Sequence, residues 1–345
     1  MKHEEDRVKI GLERFLKSHS CPWDNVDLAE ISRISDGWEN EVYSFIIRKE
    51  GWGRLDLILR IYPGNNAVQK ASREFIGMKK LYEKDFPVPE VFVLETGDQF
   101  FGQPFVIMEK INGRLLGEMA KESDDKKTLE LIKLCCGLFV KLHRLDWRPF
   151  ADKIVSKWHH KPYPVADHLI KIAEEHIERY QRYEFLPVIK WLKDKAGSVK
   201  CNRLSVIHLD YHPQNIMIRK DDKNIFVIDW TNINVSDYRY DLAWTLLLIG
   251  TYDDQQVREI VFNEYRNISG ENIENMDFFD VMACFRRLFS ISVSIFSGSE
   301  NMGMRPEAVE LMKRNVGHIE KVYKLLQERT NISIPSIEEM ILMII

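Results

Sequence analysis

Three oxygen-bearing side chains, Asp210, Asn215 and Asp229, fall within one short stretch of the chain, in a spacing that chemistry could use. Asp210 and Asn215 belong to His208-Leu209-Asp210-Tyr211-His212-Pro213-Gln214-Asn215, directly ahead of an apolar run, Ile216-Met217-Ile218. A second run, Ile225-Phe226-Val227-Ile228, ends at Asp229, and a polar turn, Arg219 to Asn224, separates the two. Apolar runs flanking such a turn pair as antiparallel strands, which places the residue before the first beside the residue after the second. The expectation is that Asn215 and Asp229 share one end of a hairpin, with Asp210 on the loop that enters it. Oxygens gathered this way suit a hard cation such as Mg2+ together with phosphate oxygens. The matching chemistry is phosphoryl transfer, which needs an in-line nucleophile, a group to orient it and take its proton, and a metal to screen negative charge.

The elements that must hold these groups can be read from hydrophobic pattern and turn residues. A short amphipathic helix is expected from about Val8 to Lys17. Three strands follow, Ile31 to Ser35, Val42 to Arg48 and Leu55 to Tyr62, the last two divided by Glu50-Gly51-Trp52-Gly53. A helix from about Ala67 to Lys84 precedes two further apolar runs, Val91 to Leu94 and Pro104 to Met108, so the first part reads as a five-strand antiparallel sheet with one inserted helix. After Asn112-Gly113 the pattern turns helical, with helices expected over Thr128 to Leu145, Ala166 to Tyr180, Phe185 to Lys195, and from Arg239 onward. The fold class is thus α+β. At 345 residues the chain exceeds what one core usually holds, so two lobes are expected, over 1–110 and 111–345.

Composition excludes little but bounds the setting. A charged fraction of 30% and a formal charge of -4 lack the basic bias of a nucleic-acid binder. Cys21, Cys135, Cys136, Cys201 and Cys284 show no C-x-x-C spacing, which argues against a disulfide framework and for a reduced compartment. The N-terminus is too polar for a secretory signal, and no apolar run reaches the roughly 18 residues of a membrane span. The expectation is a cytoplasmic protein with no membrane and no nucleic-acid partner.

The spacing His-x-Asp-x-x-x-x-Asn also matches the catalytic loop of kinases. More specifically, the segments Ile207 to Ile216, Val227-Ile228-Asp229-Trp230 and Asp241-Leu242-Ala243-Trp244 resemble the aminoglycoside phosphotransferase family, kin of the choline and ethanolamine kinases. In that family a second His follows the Asp by two residues with Pro next, and Ile-Asp-Trp or Ile-Asp-Phe replaces Asp-Phe-Gly; both features occur here. The resemblance implies a two-lobed protein kinase-like fold, with nucleotide held by the N-terminal lobe and substrate by the helical one. It further implies Mg2+-dependent transfer of the γ-phosphoryl group of ATP or GTP to the hydroxyl of a small molecule. Asp210 would be the catalytic base, Asn215 and Asp229 the Mg2+ ligands, and Asp241 a buried brace hydrogen-bonded to the catalytic loop. His208 would orient that loop and His212 pack beneath it.

The resemblance continues upstream in a looser form. Asp36-Gly37-Trp38-Glu39-Asn40-Glu41-Val42-Tyr43 stands where the family carries its nucleotide-covering loop, which assigns Gly37 and Asn40 to the phosphates. In Leu57-Ile58-Leu59-Arg60-Ile61-Tyr62, Arg60 occupies the position of the kinase lysine, able to fork onto phosphate or onto Glu74. Phe105 to Gly113 resembles the hinge, with backbone groups near Glu109 and Ile111 reading the purine edge.

Plainer readings stand beside these. Arg60 and Glu74 could form an ordinary surface ion pair, and Gly37 could serve a simple hairpin turn. His208, His212 and Asp210 could suggest a metal hydrolase, although Pro213 breaks any continuing helix. His159-His160 reads as an exposed loop, Trp147, Trp158 and Tyr163 as core, and Glu271, Glu274, Asp277 and Asp280 as a solvated helix face. A regulator that binds nucleotide without transfer is an alternative, suggested by Arg60 and the glycine-poor loop. A protein kinase is disfavoured because no Asp-Phe-Gly to Ala-Pro-Glu segment lies between Asp229 and Asp241.

Overall fold

Strong β-formers alternate with charge early in the chain and helical periodicity dominates later, and the computed structural model follows that division. It describes residues 2–35, 40–49, 51, 53–64, 66–252, 254–302, 304 and 308–344. The elements run α1 (Lys2–Leu16), β1 (Asp27–Ser35), β2 (Glu41–Lys49), β3 (Gly53–Ile61), α2 (Ala67–Tyr82), β4 (Val91–Glu95), β5 (Phe105–Glu109), β6 (Gly113–Leu115), α3 (Leu116–Lys121) and α4 (Asp125–His143). Then come α5 (Val165–Tyr180), α6 (Leu186–Ala196), β7 (Ser205–Ile207), β8 (Ile216–Arg219), β9 (Ile225–Val227), β10 (Asn234–Ser236) and α7 (Tyr238–Tyr252). Helices α8 (Gln255–Ser269), α9 (Met276–Ser297), α10 (Ala308–Arg314), α11 (Val316–Thr330) and α12 (Pro335–Ile344) complete the chain.

The chain forms two compact units, and each is built from more than one stretch of sequence. The first comprises residues 1–114, 217–232 and 303–308, the second 115–216, 233–302 and 309–345. In the first, five antiparallel strands lie in the order β1-β2-β3-β5-β4, with α2 inserted between β3 and β4 as expected. The period-2 geometry of β3 sends Leu57, Leu59 and Ile61 into one core with Tyr43, Phe45 and Ile47 of β2 and Val8, Leu12 and Phe15 of α1. The alternate positions, including Arg60, therefore face the other way. On α2, buried Ala67, Ala71, Glu74, Met78 and Leu81 share one face at helical spacing, and the only charge on that face is Glu74.

The β8–β9 hairpin also belongs to this unit from Met217 onward. Its turn closes through Arg219 N–H to the Asn224 carbonyl at 2.8 Å, with Lys223 at φ +59. β6 adds a third strand, which the sequence pattern did not suggest, in the order β6-β8-β9. Gly113 is required there, because a Cβ would run into the Ile218 carbonyl. Val227 N–H donates to the Pro87 carbonyl at 2.8 Å, and Trp230 packs edge-on to Phe86, so the residues around Asp229 are tied to the segment that follows α2.

The second unit is helical apart from the short β7–β10 pair. Its α7 is buried on every side from Tyr238 to Thr251, as a helix surrounded by others must be when its sequence is apolar all round. Trp147, Trp158 and Tyr163 pack on a small cluster of Val155, Val165, Cys201, Leu204 and Val235, the core role expected for them. The acidic group at 271–280 is not a single solvated face. Glu271 pairs with Arg203 at 2.8 Å, and Asp280 is 1% exposed between Arg258 and Arg329. Among the described residues no helix is long and apolar enough to cross a membrane.

Candidate active site

In the second unit the loop between β7 and β8 carries Asp210 and Asn215, and its shape is set by buried side chains around it. Asp241, at 0% exposure in the first turn of α7, accepts the backbone N–H of His208 on one oxygen and that of Leu209 on the other, both at 2.7 Å. Those two bonds hold Leu209 at φ +59, a left-handed conformation that a bulky residue rarely adopts and that must be imposed by its surroundings. His143, from α4, stands behind Asp241 with Nε2 3.2 Å from its carboxylate and Nδ1 2.8 Å from the Tyr265 hydroxyl. Tyr211 anchors the loop from below: its hydroxyl donates to the Cys135 carbonyl at 2.7 Å and its ring stacks on Phe139. Thr245 donates to the Tyr211 carbonyl at 2.7 Å. Gly117 of α3 lets the Gln214 side chain lie where a Cβ would otherwise sit.

On this frame Asp210 is the one carboxylate of the loop, with a third of its side chain exposed. Asn215 Nδ2 donates to its Oδ2 at 3.1 Å and to its backbone carbonyl at 2.9 Å, and Trp244 Nε1 approaches its Oδ1 at 3.4 Å. Burial pushes the Asp210 carboxyl upward, but hydrogen bonding to His212 and the nearby His212, His208 and Arg286 charges outweigh it and hold it well below the usual range. It is therefore an anion across the neutral range. His208 is fully buried and its Nδ1 lies 3.2 Å from the Asp210 N–H, while His212 Nε2 lies 3.2 Å from the Asn215 amide. Among the described residues Asn215 Oδ1 receives no donor, so it is open to a cation.

In the first unit, Asp229 follows β9 at φ +65 and Arg60 reaches it. Arg60 Nη1 donates to Glu74 Oε1 at 2.5 Å and Nη2 to Asp229 Oδ1 at 2.8 Å. With Arg60 12% exposed and Glu74 0% exposed, this is a buried pair rather than a surface one. Glu74 also accepts from the Tyr62 hydroxyl, from Trp230 N–H at 3.2 Å and from Thr231 Oγ1 at 3.2 Å. Burial raises the Glu74 carboxyl and the Arg60 charge opposes that rise. Burial acts to lower the Arg60 guanidinium, but Asp229 and Glu74 overcome it and keep it cationic. Thr231 Oγ1 completes the contacts to Asp229 Oδ1 at 3.0 Å, leaving Oδ2 without a partner among the described residues.

The remaining nucleotide candidates also lie in the first unit. Asn40 precedes β2 and is 3% exposed, with neither amide atom hydrogen-bonded among the described residues, an arrangement that is costly unless a ligand answers it. Gly37 lies outside the described residues. Glu109 ends β5 and accepts from Arg219, and buried Ile111 follows it. Asn215 in the second unit and Asp229 in the first each offer an oxygen without a donor among the described residues, the kind of hard ligand that Mg2+ takes. Trp244, Arg286, His143 and Tyr211 were not assigned roles from sequence. Tyr211 and Trp244 stood in recognisable motifs, whereas His143 and Arg286 did not.

Solved structures define the class of fold. A candidate aminoglycoside phosphotransferase of Ralstonia eutropha JMP134 has TM-score 0.65 at 17% identity, covering 92% of this chain and 98% of its own. The GDP and kanamycin complex of APH(2")-IIIa has TM-score 0.55 at 16% identity, covering 94% of this chain and 98% of its own. The Plasmodium vivax ethanolamine kinase has TM-score 0.58 at 12% identity, covering 88% of this chain and 83% of its own. At these identities the likeness is one of fold, the two-lobed protein kinase-like fold. No curated protein matches the chain in sequence. The model of the phosphotransferase enzyme family matches residues 30–279, and the chain belongs to that family.

Proposed function

We propose that the protein is a small-molecule kinase that transfers the γ-phosphoryl group of ATP or GTP to a substrate hydroxyl, in the cytoplasm and with Mg2+. The observation that carries this reading is Asp210, a partly exposed carboxylate kept ionised on a loop pinned by Asp241. In the reaction Asp210 orients the acceptor hydroxyl and takes its proton as the oxygen attacks the γ-phosphorus. The new oxygen–phosphorus bond forms as the bond to the nucleoside diphosphate breaks. His208, His212 and Asp241 act as supports that fix the loop. Mg2+, when bound by Asn215 and Asp229, screens the charge of the phosphate oxygens.

The lobe over 1–110 takes the nucleotide and the lobe over 111–345 takes the acceptor. Arg60, oriented by Glu74, supplies cationic contact to the phosphates in place of a lysine, and an amide from Asn40 answers a phosphate oxygen, with Gly37 on the same loop. Backbone groups at Glu109 and Ile111 read the purine edge. Solved relatives of this fold in complex with GDP and kanamycin, or with ADP and hygromycin B, support a nucleotide donor and a small-molecule acceptor.

The test is transfer from labelled ATP or GTP, with Mg2+, to a broad panel of alcohols, amino alcohols, sugars and aminoglycosides. Labelled product is expected with at least one class. Tight nucleotide binding with no transfer to any of them would instead establish a regulator that has lost activity.

A further inference from the structure

Helix α9 brings a charged side chain to the catalytic loop that narrows the chemistry of the acceptor. Arg286 is half-buried, and its guanidinium carbon lies 4.0 Å from the centroid of the Trp244 ring. Arg286 Nη1 donates to the Leu209 carbonyl at 3.2 Å, one residue before Asp210. The same indole turns its Nε1 toward Asp210 Oδ1 at 3.4 Å. One aromatic plate thus carries the guanidinium on its face and reaches the proposed base from its edge.

Arg286 acts on the charge of Asp210 from a distance but forms no ion pair with it. Arg239 is neutralised by Asp237, and Arg258 and Arg329 by Asp280, whereas no carboxylate among the described residues forms an ion pair with Arg286. Stacking fixes the plane of the fork, and its bonds to the Leu209 carbonyl and the Tyr240 hydroxyl leave other N–H groups available. A fixed guanidinium that is not paired with a carboxylate is a preorganised receptor for anionic oxygens, and it opposes any cationic group brought to the same place.

We propose that Arg286 binds an anionic group of the acceptor, a carboxylate or a phosphate, so that the molecule phosphorylated is a hydroxy acid or a hydroxyl-bearing phosphate ester rather than a polycation. This rests on the phosphotransferase reading above. A role confined to bracing Leu209 would slow all acceptors alike. Recognition would instead separate acceptors by charge.

The experiment compares transfer to matched acceptors that differ in the anionic group: glycerate and glycerol 3-phosphate against glycerol, serine against ethanolamine, gluconate against sorbitol. The wild-type protein is expected to favour at least one anionic member in kcat/KM, and the carboxylate and phosphate arms show which group is read. Arg286→Gln is expected to raise KM for that acceptor by roughly 10- to 100-fold relative to its neutral partner, with Arg286→Lys recovering part of the loss. Preference for the neutral members, or a loss in Arg286→Gln equal for both members of a pair, overturns the inference while leaving the kinase reading intact. Transfer to no acceptor of either charge, here or in the broad panel, contradicts the kinase reading itself and this inference with it.

Discussion

A carboxylate that takes a proton during transfer has to be ionised beforehand, and the surroundings of Asp210 keep it so. Its folded pKa is held below the ordinary 3.8, so any rate or stability linked to its charge is present above that value and lost only as pH falls through the lower folded one. A pH profile of kcat/KM should therefore show no loss from Asp210 protonation between neutrality and about pH 5. An acid limb near pH 6 that is abolished by Asp210→Asn would contradict this. Arg60 makes a different prediction, because Glu74 is fully buried and Arg60 is its one cationic partner among the described residues. Arg60→Met should cost about 3–5 kcal/mol in chemical denaturation, since it strands a buried carboxylate, whereas Arg60→Lys keeps the charge and should cost less. Equal losses for the two variants would show that the charge of the pair is not what matters.

At the scale of elements, the catalytic loop depends on the start of α7. Asp241→Asn offers one acceptor where two backbone N–H groups need it and turns an amide toward the other, so a loss of about 1–3 kcal/mol in thermal unfolding and a fall in kcat are expected together. Unchanged kcat in that variant would mean that the loop holds its shape without the brace. The sequence pattern was informative for these elements wherever the signal was local. Alternating apolar residues marked β2 and β3, and the polar turn after Ile218 marked the β8–β9 hairpin. It was silent on β6 and β10, each three residues long, whose pairing depends on strands far along the chain. His143 was hidden for a similar reason: inside the α4 pattern it looks like any polar helix residue, and its partners Asp241 and Tyr265 lie about a hundred residues away.

At the scale of the whole molecule, contacts remote in sequence decide what is buried, and charge patterns alone misjudge them. Asp280 looked like part of a solvated acidic face, yet Arg258 of α8 and Arg329 of α11 meet it on α9, with Nη2 at 3.0 and 2.9 Å from its Oδ2. Neither partner is within reach along its own helix. Asp280→Ala leaves buried Arg258 with only the exposed Glu259 as a partner among the described residues and should lower the stability of the helical unit by about 3–5 kcal/mol, measured by denaturant titration. A loss below about 1 kcal/mol would place this triad with exposed ion pairs, which contribute little. The central claim, that Asp210 is the base of a phosphoryl transfer, is tested most directly by single-turnover transfer in the wild type and Asp210→Asn, with nucleotide affinity measured alongside. A fall of roughly 10²- to 10⁴-fold in the transfer rate with nucleotide binding retained is the predicted result. Equal rates in the two proteins would contradict it.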